Sequence, residues 1–373
     1  MKQLVIFICI ISVLMGCTQN SRTVSSGKGT IVSLSYAKGF SIAKVDAYTS
    51  VTVFNPWKAG EVYARYYLVK DSSICVPSDG QKVAIPLQTM VVNSATQLEF
   101  LQMLGEIPCI TGICNPEYIY NPDVLNGVRS GRIQNMGDAF NLDIERLLLL
   151  RPQAVMTTAY NVEDENSKRM KQTGLTLIYN IEWQERTLLA RAEWIKFVGA
   201  FFDKEAEADS LFQLVEGNYN RLKKLTENCK DRPSVMIGQD YRGTWTMPAG
   251  NSFNAQLFRD AAVDYHFAGD GRDGSRSSSI EEALLLFKEA DVWVGVQANS
   301  LKELVETNNK YRLFKAYRTG NVYSYNKRRN ETGGNDYWES GVAHPDRLLA
   351  DMIRIMHPEL LPDYETYYIQ QLQ

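Results

Sequence analysis

A long run of regularly spaced apolar residues near the middle of the chain constrains the fold more than any other feature. Between Thr187 and Cys229, large apolar side chains recur at three- and four-residue spacing, and no proline occurs between Pro152 and Pro233. This spacing is typical of a helix with one buried face, and Thr187 is a suitable N-cap. The run exceeds an ordinary globular helix, so it predicts one rod, with a kink near residues 199–203, that joins two bodies. The alternative is two helices separated there.

Strand and helix patterns alternate on both sides of this run. Short β-branched segments are separated by amphipathic stretches in residues 85–186 and again in residues 230–373, which include a closing helix near the C-terminus. Such alternation is typical of a largely parallel sheet covered by helices. Residues 29–84 alternate over short, turn-separated segments and predict a β-rich segment that belongs to the first lobe. The predicted fold is therefore α/β, with two Rossmann-like lobes joined by a single long α-helix at residues 187–229.

Composition narrows the class of function. The chain has 373 residues, of which 45% are hydrophobic and 22% charged, as in soluble globular proteins. This length favours two domains. A formal net charge of -3 gives no reason to expect nucleic acid or an anionic membrane surface as a partner.

The N-terminal residues predict where the protein is located. Lys2 is followed by an apolar run that is too short to span a bilayer but fits the hydrophobic region of a secretory signal. The run ends in Leu-Met-Gly before Cys17, which resembles the bacterial lipobox, whose cysteine is lipidated and becomes the mature N-terminus. We therefore predict a signal peptide at residues 1–17, a polar tether at residues 18–28, and a lipid-anchored protein in the periplasm or cell envelope. The alternative is an uncleaved anchor helix.

The remaining cysteines can be oxidised outside the cytoplasm. Cys109 and Cys114 are close enough in sequence for a small disulfide-closed loop, and unpaired, partly buried thiols are the alternative. The sequence contains no paired C-x-x-C spacing that would indicate a metal site.

The two halves repeat each other where a helix precedes a strand. Asp143-Ile144-Glu145 opens a leucine-rich helix in the first half, and Ser279-Ile280-Glu281-Glu282 opens another in the second. Acidic residues at a helix N-terminus are stabilised by the helix dipole, so ordinary capping is one explanation for Glu145 and Glu282. The second copy is one residue longer between the acid and the following strand, which leaves Glu281 open as the equivalent of Glu145.

Three stretches of the chain resemble one family of transport receptors. They are Gly137-Asp138 through Glu145 to Arg151-Pro152-Gln153-Ala154-Val155, Ser279-Ile280-Glu281-Glu282 with Ala290-Asp291-Val292-Trp293, and Trp338-Glu339-Ser340-Gly341 through His344-Pro345-Asp346 to His357-Pro358-Glu359. With its two α/β halves, joining helix and lipoprotein signal, the chain resembles the class III periplasmic binding proteins, the substrate-binding lipoproteins of ABC importers for iron siderophores and cobalamin. Its C-terminal stretch resembles a branch common in Bacteroidetes-like lipoproteins. The chain departs from the pattern at Gln153, where the family usually has an acid.

The resemblance implies a mechanism and a set of partners. The protein would be a monomer without a cofactor of its own that captures a metal chelate (a ferric siderophore, a corrinoid or heme) and delivers it to an ABC permease with its ATPase. In this family one surface glutamate on the outer face of each lobe docks onto arginines of the permease, and the resemblance assigns these roles to Glu145 and Glu282. Two carboxylates held apart by a rigid frame engage two basic pockets only when the lobes have the correct separation.

The ligand is expected between the lobes, at loops that follow the carboxyl ends of the strands. Aromatic side chains give flat contact with a large ligand, and arginines pair with carboxylate or catecholate groups. Trp245, Tyr160 and Arg242 rank highest because each follows a predicted strand by a few residues, and packing within its own lobe is the alternative for each. A solvated basic patch is the alternative for Arg328. The expected ligand contacts are Tyr118, Tyr120, Tyr160, Tyr241, Arg242, Trp245, Asn299, Arg328 and Trp338.

The sequence lacks the motifs of common hydrolases. It has three histidines, and neither H-E-x-x-H nor G-x-S-x-G occurs, so a zinc hydrolase or serine esterase lacks its usual frame. The glycine-rich acidic stretch at residues 269–274 lacks EF-hand spacing and is interpreted as a loop at the mouth of the cleft. We therefore predict no catalytic residue and no metal site. The alternatives are an exported lipoprotein enzyme acting on a chelate or glycan in the same cleft, and a scavenging lipoprotein without a permease.

Overall fold

The computed structural model describes residues 29–161 and 165–373. The predicted signal peptide, the tether and the lipidated Cys17 lie outside these residues. Within them, no helix is both long and apolar enough to cross a lipid bilayer. The described chain forms a mixed α/β structure with parallel sheets, as the sequence predicts.

The β-rich N-terminal segment is a five-stranded sheet. Its strands are β1 (Thr30–Ile31), β2 (Phe40–Val45), β3 (Tyr48–Phe54), β4 (Val62–Val69) and β5 (Gln81–Ala84). They are arranged in chain order, and neighbours are antiparallel except for β4 and β5, which run parallel. Ile42, Val51 and Leu68 are fully buried and belong to the main core, so one face of the sheet packs against the rest of the protein.

The first lobe contains a five-stranded parallel sheet in the order β10-β9-β6-β7-β8. Met90, Val91 and Val92 on its central strand are all fully buried, as expected for a parallel strand covered on both faces. The elements are β6 (Met90–Val92), α1 (Leu98–Met103), β7 (Ile110–Ile113), α2 (Pro122–Arg129), β8 (Gln134–Asn135), α3 (Ile144–Leu150), β9 (Ala154–Thr157), α4 (Glu165–Gln172) and β10 (Leu177–Tyr179).

The stretch predicted as a single rod is divided, so the prediction of one continuous inter-lobe helix is wrong. The structure has three helices there, α5 (Leu188–Ala192), α6 (Trp194–Ala200) and α7 (Glu205–Thr226). The chain turns at residues 201–204, where Asp203 has a left-handed φ of 59°. Gly199 lies so close to Ala208 that a Cβ on the glycine would be 2.7 Å from the alanine Cβ, so α6 and α7 pack tightly against each other. The break falls where the two-helix alternative placed it.

The two sides of this break differ in burial. Every residue from Leu188 to Phe202 is buried, as expected for helices in the centre of a core. Helix α7 instead has one buried stripe, formed by Ala208, Phe212, Val215, Tyr219, Leu222 and Thr226. Only α7, about 33 Å long at 1.5 Å per residue, therefore has the amphipathic character that the sequence predicted for the whole run.

The second lobe has a five-stranded sheet like that of the first, but with an antiparallel edge strand and with a second, smaller sheet. Its main sheet has the order β14-β11-β16-β17-β18, in which only β18 is antiparallel to its neighbour. The lobe also has a smaller antiparallel sheet, β12-β13-β15, whose first two strands directly follow β11. The elements are β11 (Ser234–Ile237), β12 (Asp240–Tyr241), β13 (Thr244–Pro248), α8 (Phe253–Asp260), β14 (Asp264–Tyr265), β15 (Ser275–Ser278), α9 (Ile280–Phe287), β16 (Val292–Val296), α10 (Leu301–Thr307), α11 (Lys315–Thr319), β17 (Val322–Ser324), α12 (Asp336–Glu339), α13 (Pro345–Met356) and β18 (Gln370–Gln371).

The structure favours free thiols over a disulfide at the two cysteines that are close in sequence. Cys109 and Cys114 are both unpaired and buried. Burial raises the pKa of each thiol to about 12, so neither is a reactive thiolate at neutral pH.

The segment around α12 binds the two lobes directly to each other. The buried carboxylate of Glu339 accepts hydrogen bonds from the backbone N–H groups of Tyr120 and Asn121, at 2.7 and 2.9 Å. Nearby, the Asn330 amide donates to the carbonyl of Ile119 at 2.8 Å. The lobes therefore have a polar contact that does not depend on the central helices.

Glu339 should make the stability of the protein depend on pH. Burial raises its pKa from 4.5 to about 8, so the unfolded chain loses this proton at a lower pH than the folded protein does. The folded state binds more protons between these values, and the free energy of unfolding should fall as the pH rises from about 5 to about 8. At roughly 1.4 kcal/mol per unit of pKa, the effect has an upper limit of about 5 kcal/mol.

Urea unfolding of the wild type and of Glu339→Gln at several pH values measures this effect. The glutamine does not titrate, so the wild type should lose stability relative to the variant across that range. Other buried carboxylates contribute equally to both proteins and cancel in the difference. Two curves that remain parallel from pH 5 to pH 8 would contradict the prediction.

Candidate functional site

A large cleft lies between the two lobes, with a volume of about 1080 Å³. Clefts of this size take drug-sized or larger ligands. The N-terminal sheet contributes residues 36, 38–39 and 54–56, the first lobe contributes residues 181, 183–187 and 190, and the second lobe contributes residues within 237–254, 273–275, 295–297, 325 and 337–338.

The cleft lies at the carboxyl ends of parallel strands in both lobes. Ile181 comes just after β10, Gly238 follows β11, and Gln297 and Tyr325 follow β16 and β17. Ligands of open α/β sheets bind at this edge because the connecting loops diverge there. The position of the cleft matches the location that the sequence predicts for the ligand.

Aromatic and amide side chains dominate the lining. Tyr325 and Tyr337 stack with their ring centroids 4.0 Å apart, and Trp338 meets Tyr337 edge-on at 4.7 Å. The contacts among these three rings hold them together as one aromatic surface. The aromatic lining residues are Tyr36, Phe54, Trp183, Tyr241, Phe253, Tyr325, Tyr337 and Trp338, and the amides are Asn55, Gln184, Gln239, Asn251, Asn254 and Gln297.

The charges that line the cleft balance each other. Two are positive, Lys38 and Arg186, and two are negative, Glu185 and Asp273. Arg186 and Asp273 form an ion pair across the lobes at 2.9 Å. Glu185 is buried, which raises the pKa of its carboxyl group, and it accepts a hydrogen bond from the Trp194 indole at 3.1 Å. The cleft therefore carries no net charge.

Two of the nine expected ligand contacts, Tyr241 and Trp338, line the cleft. Tyr160 lies beside it: its ring centroid is 5.8 Å from that of Trp183, which does line the cleft. Asp273, in the stretch interpreted as a loop at the cleft mouth, also lines it.

Trp245 does not face the cleft, and its ranking as a leading ligand contact is wrong for this structure. It lies on β13, is fully buried, and stacks on Trp293 with a centroid distance of 5.6 Å. Its indole N–H donates to the carbonyl of Ile237 at 2.8 Å. The alternation Thr244-Trp245-Thr246-Met247 marks β13, and it places Trp245 and Met247 on the face of the strand that packs in the core of its own lobe.

Three further expected contacts lie on the surface outside the cleft lining. Arg242 has a left-handed φ of 52°, and its guanidinium lies 5.2 Å from the centre of the Tyr241 ring. Asn299 bonds to Glu303 through its backbone N–H at 2.8 Å, which orders the start of α10. Tyr118 is exposed on a turn of the first lobe.

Tyr120 and Arg328 meet in a second, much smaller pocket of about 120 Å³ beside Glu339. Arg328 is paired with Asp336 at 2.5 Å and lies over the rings of Tyr120 and Tyr367, at 5.1 and 4.3 Å. This guanidinium is held by the contact between the lobes, so Arg328 belongs to the inter-lobe contact and not to the cleft.

Sequence reasoning missed part of the cleft. Trp183 follows β10 by four residues. Tyr160 was selected because it lies a few residues past a predicted strand, and the same criterion would have selected Trp183. Tyr36 and Phe54 carried no such signal because they belong to the N-terminal β-rich segment, outside the strand ends of the two α/β halves where the ligand was expected.

The two repeated helices, α3 and α9, have matching N-terminal turns. Asp143 caps α3 by accepting from the N–H of Arg146, and Ser279 caps α9 by accepting from the N–H of Glu282. Counting from these caps, Glu145 and Glu281 are both the second helical residue. The structure therefore pairs Glu145 with Glu281, where the sequence-based assignment chose Glu282.

Comparison with known proteins identifies the family. Residues 90–328, more than half of the chain, match the family model described as periplasmic binding protein. An uncharacterized lipoprotein of Methanocaldococcus jannaschii is 26% identical over 402 residues, covering 98% of this chain and 94% of its own length. A second such lipoprotein from the same organism is 24% identical and covers 78% of this chain and 76% of its own length.

Solved structures show the same fold. A periplasmic heme-binding protein from Pseudomonas aeruginosa aligns with a TM-score of 0.58 at 14% identity, over 77% of this chain and 98% of its own. The heme-binding protein RhuT from Roseiflexus aligns with a TM-score of 0.56 at 16% identity, over 74% and 99%. CeuE of Helicobacter pylori with bound Ni(II) gives 0.57 at 14% identity, over 78% and 91%. With its two α/β lobes and the cleft between them, the chain belongs to the class III periplasmic binding protein family.

Proposed function

We propose that this protein is a lipid-anchored receptor that captures a large metal chelate in the inter-lobe cleft and delivers it to an ABC permease. The observation that carries the proposal is the cleft itself, about 1080 Å³ in volume and lined by aromatic and amide side chains at the carboxyl ends of both sheets. A flat, bulky chelate gains contact area from aromatic rings, and amides offer both donors and acceptors to its substituents. The heme and Ni(II) ligands named for similar structures agree with a metal-bearing ligand.

The chemistry of the lining favours an uncharged, amide-bearing macrocycle over an anionic siderophore. A ferric catecholate carries several negative charges, but the cleft lining offers two cations, Lys38 and Arg186, of which Arg186 is paired with Asp273, and Arg328 lies outside the cleft. No histidine of the described residues lines the cleft to serve as an axial ligand for heme: His266 packs against Phe267 and Phe287, His344 is bonded to Glu99, and His357 to the carbonyl of Ala262. We therefore rank a corrinoid first, with heme second.

A thermal unfolding screen tests the proposal. Cyanocobalamin, hemin and a ferric catecholate siderophore are added separately, and a ligand present at a hundred times its dissociation constant should stabilise the protein by about 2.7 kcal/mol. We expect the midpoint of unfolding to rise with cyanocobalamin. A shift with hemin or the siderophore alone would keep the receptor function but overturn the corrinoid ranking, and no shift with any of the three would count against the receptor function.

A pair of matching surfaces on the outer helices supports delivery to a permease. Leu149 on α3 and Leu285 on α9 are 84% and 82% exposed, the two most exposed large apolar side chains in the described part of the chain. Each lies one helical turn after the paired acid, Glu145 or Glu281. Asp143 and Ser279 are the N-caps of these helices, and Glu145 and Glu281 lie in the first helical turn, where the helix dipole also stabilises an acid. An acidic side chain near an exposed leucine therefore occurs on both lobes. This pair of surfaces is complementary to a partner with two basic, partly apolar pockets.

A further inference from the structure

Two buried carboxylates hold a short loop of the N-terminal sheet in place. Residues 35–39 connect β1 to β2, and all five successive backbone N–H groups donate to Glu193 or Glu185 at 2.8 to 3.0 Å. Both glutamates lie in or just before the central helices and are nearly or fully buried. Burying two carboxylates is unfavourable unless they are hydrogen-bonded, and these five donors supply the bonds. The backbone path of this loop is therefore strongly determined.

The same loop and the end of β3 form one continuous surface. The N–H of Phe54 donates to the carbonyl of Gly39 at 2.8 Å, which joins the two segments. A Cβ on residue 39 would lie 2.8 Å from the Trp194 ring and 3.0 Å from the Glu185 carboxylate, so only glycine allows this close approach. Asn55 then folds the chain back, because its side chain accepts from the N–H groups of Trp57 and Lys58 at 3.0 and 3.1 Å.

This surface faces the cleft. Lys38, Gly39, Phe54 and Pro56 all line it, and they lie before residue 90, where the part of the chain matched by the family begins. Phe54 is 40% exposed, although Val51, Thr52 and Val53, which precede it on β3, are buried. An aromatic ring left open on a rigidly held segment is suited to contact with a bound molecule.

We propose that the N-terminal sheet supplies a third wall of the ligand site and that Phe54 is a selectivity-determining contact on it. The wall would take the apolar edge of a macrocyclic chelate against the rings of Phe54 and Pro56, with a carbonyl or carboxylate substituent near the ammonium group of Lys38. The inference rests on the proposed receptor function. It adds a part of the ligand site that lies outside the matched family segment.

Affinity measurements on Phe54→Ala and Phe54→Tyr test the wall. Cyanocobalamin and hemin are titrated separately by calorimetry into the wild type and both variants. For the probe that the wild type binds, Phe54→Ala should lose at least tenfold in affinity, and Phe54→Tyr should stay within about threefold because it keeps the ring. The matched control is Ile31→Ala, which removes an apolar side chain that is 74% exposed on the same sheet but outside the cleft.

The outcomes separate this inference from the receptor function. Wild-type affinity retained by Phe54→Ala would overturn the third wall and leave the receptor function intact. An equal loss in Ile31→Ala would also overturn it, since the effect would then come from the sheet as a whole. A wild type that binds neither probe would overturn the third wall, because the wall requires a ligand of this class, and the siderophore arm of the thermal unfolding screen would then decide the receptor function. If Phe54→Ala also unfolds at a clearly lower midpoint than the wild type, its loss of binding would come from impaired folding, and the proposal would be rejected.

Discussion

Reversing Glu145 and Glu281 together to arginine is expected to abolish ligand uptake while leaving ligand affinity unchanged. Both side chains lie on exposed helix turns outside the cleft lining, so the charge change should not reach the ligand. On the permease, two attractive contacts would each become a repulsion between like charges, which costs several kcal/mol per interface. Glu281 is paired with Lys310 in this structure, but an exposed pair of this kind is worth only about 0–1 kcal/mol and would yield to a permease arginine.

Uptake of a labelled ligand by proteoliposomes containing the permease and its ATPase measures the first effect, and calorimetry measures affinity. The control is the single variant Glu282→Arg, compared with Glu281→Arg, which tests the register of α9. We expect the control to keep much of the uptake, because Glu282 is the third helical residue and corresponds to Arg146 on α3. Full uptake by Glu145→Arg/Glu281→Arg would refute the docking assignment, and loss only in the control would restore Glu282 as the docking residue.

Replacing Glu193 by alanine is expected to destabilise the protein by about 3–5 kcal/mol. The carboxylate is fully buried, accepts from the N–H groups of Ser35, Tyr36 and Ala37, and pairs with Lys196 at 3.1 Å. Its removal leaves three backbone donors without an acceptor and deprives a buried ammonium group of one of its two carboxylates, the other being Asp209. Each such loss carries the full desolvation cost of the orphaned group.

Urea unfolding of Glu193→Ala measures this change. The control is Glu207→Ala on α7, whose only recorded ion pair within the described residues is a long one with Lys204, at 3.9 Å. That substitution should change stability by less than about 0.5 kcal/mol. A Glu193→Ala protein within about 1 kcal/mol of the wild type would mean that water replaces the carboxylate, and the loop at residues 35–39 would then not be fixed by it.

Local patterns in the sequence predicted the positions of helices and strands better than the burial of their side chains. The leucine-rich helix predicted to open at Asp143-Ile144-Glu145 is α3, which begins at Ile144 with Asp143 as its N-cap, because a cap and an apolar run mark it directly. Trp245 was misjudged because the short alternation Thr244-Trp245-Thr246-Met247 was not recognised as strand β13, whose buried face carries Trp245 and Met247. The continuous rod was wrong for a related reason: helical periodicity persists across residues 201–204, and only the contact of Gly199 with Ala208 reveals the turn.

The sequence by itself determined the two α/β halves, the helix caps and the central apolar run, since these depend on interactions between residues a few positions apart. Only the tertiary structure decided which side chains line the cleft, because that surface joins Gly39, Trp183, Tyr241 and Trp338 from segments up to about three hundred residues apart. It also decided the roles of Glu185 and Glu193, whose partners lie about 150 residues earlier in the chain. A spacing rule cannot find such pairs, because burial and long-range hydrogen bonds exist only once the elements have packed.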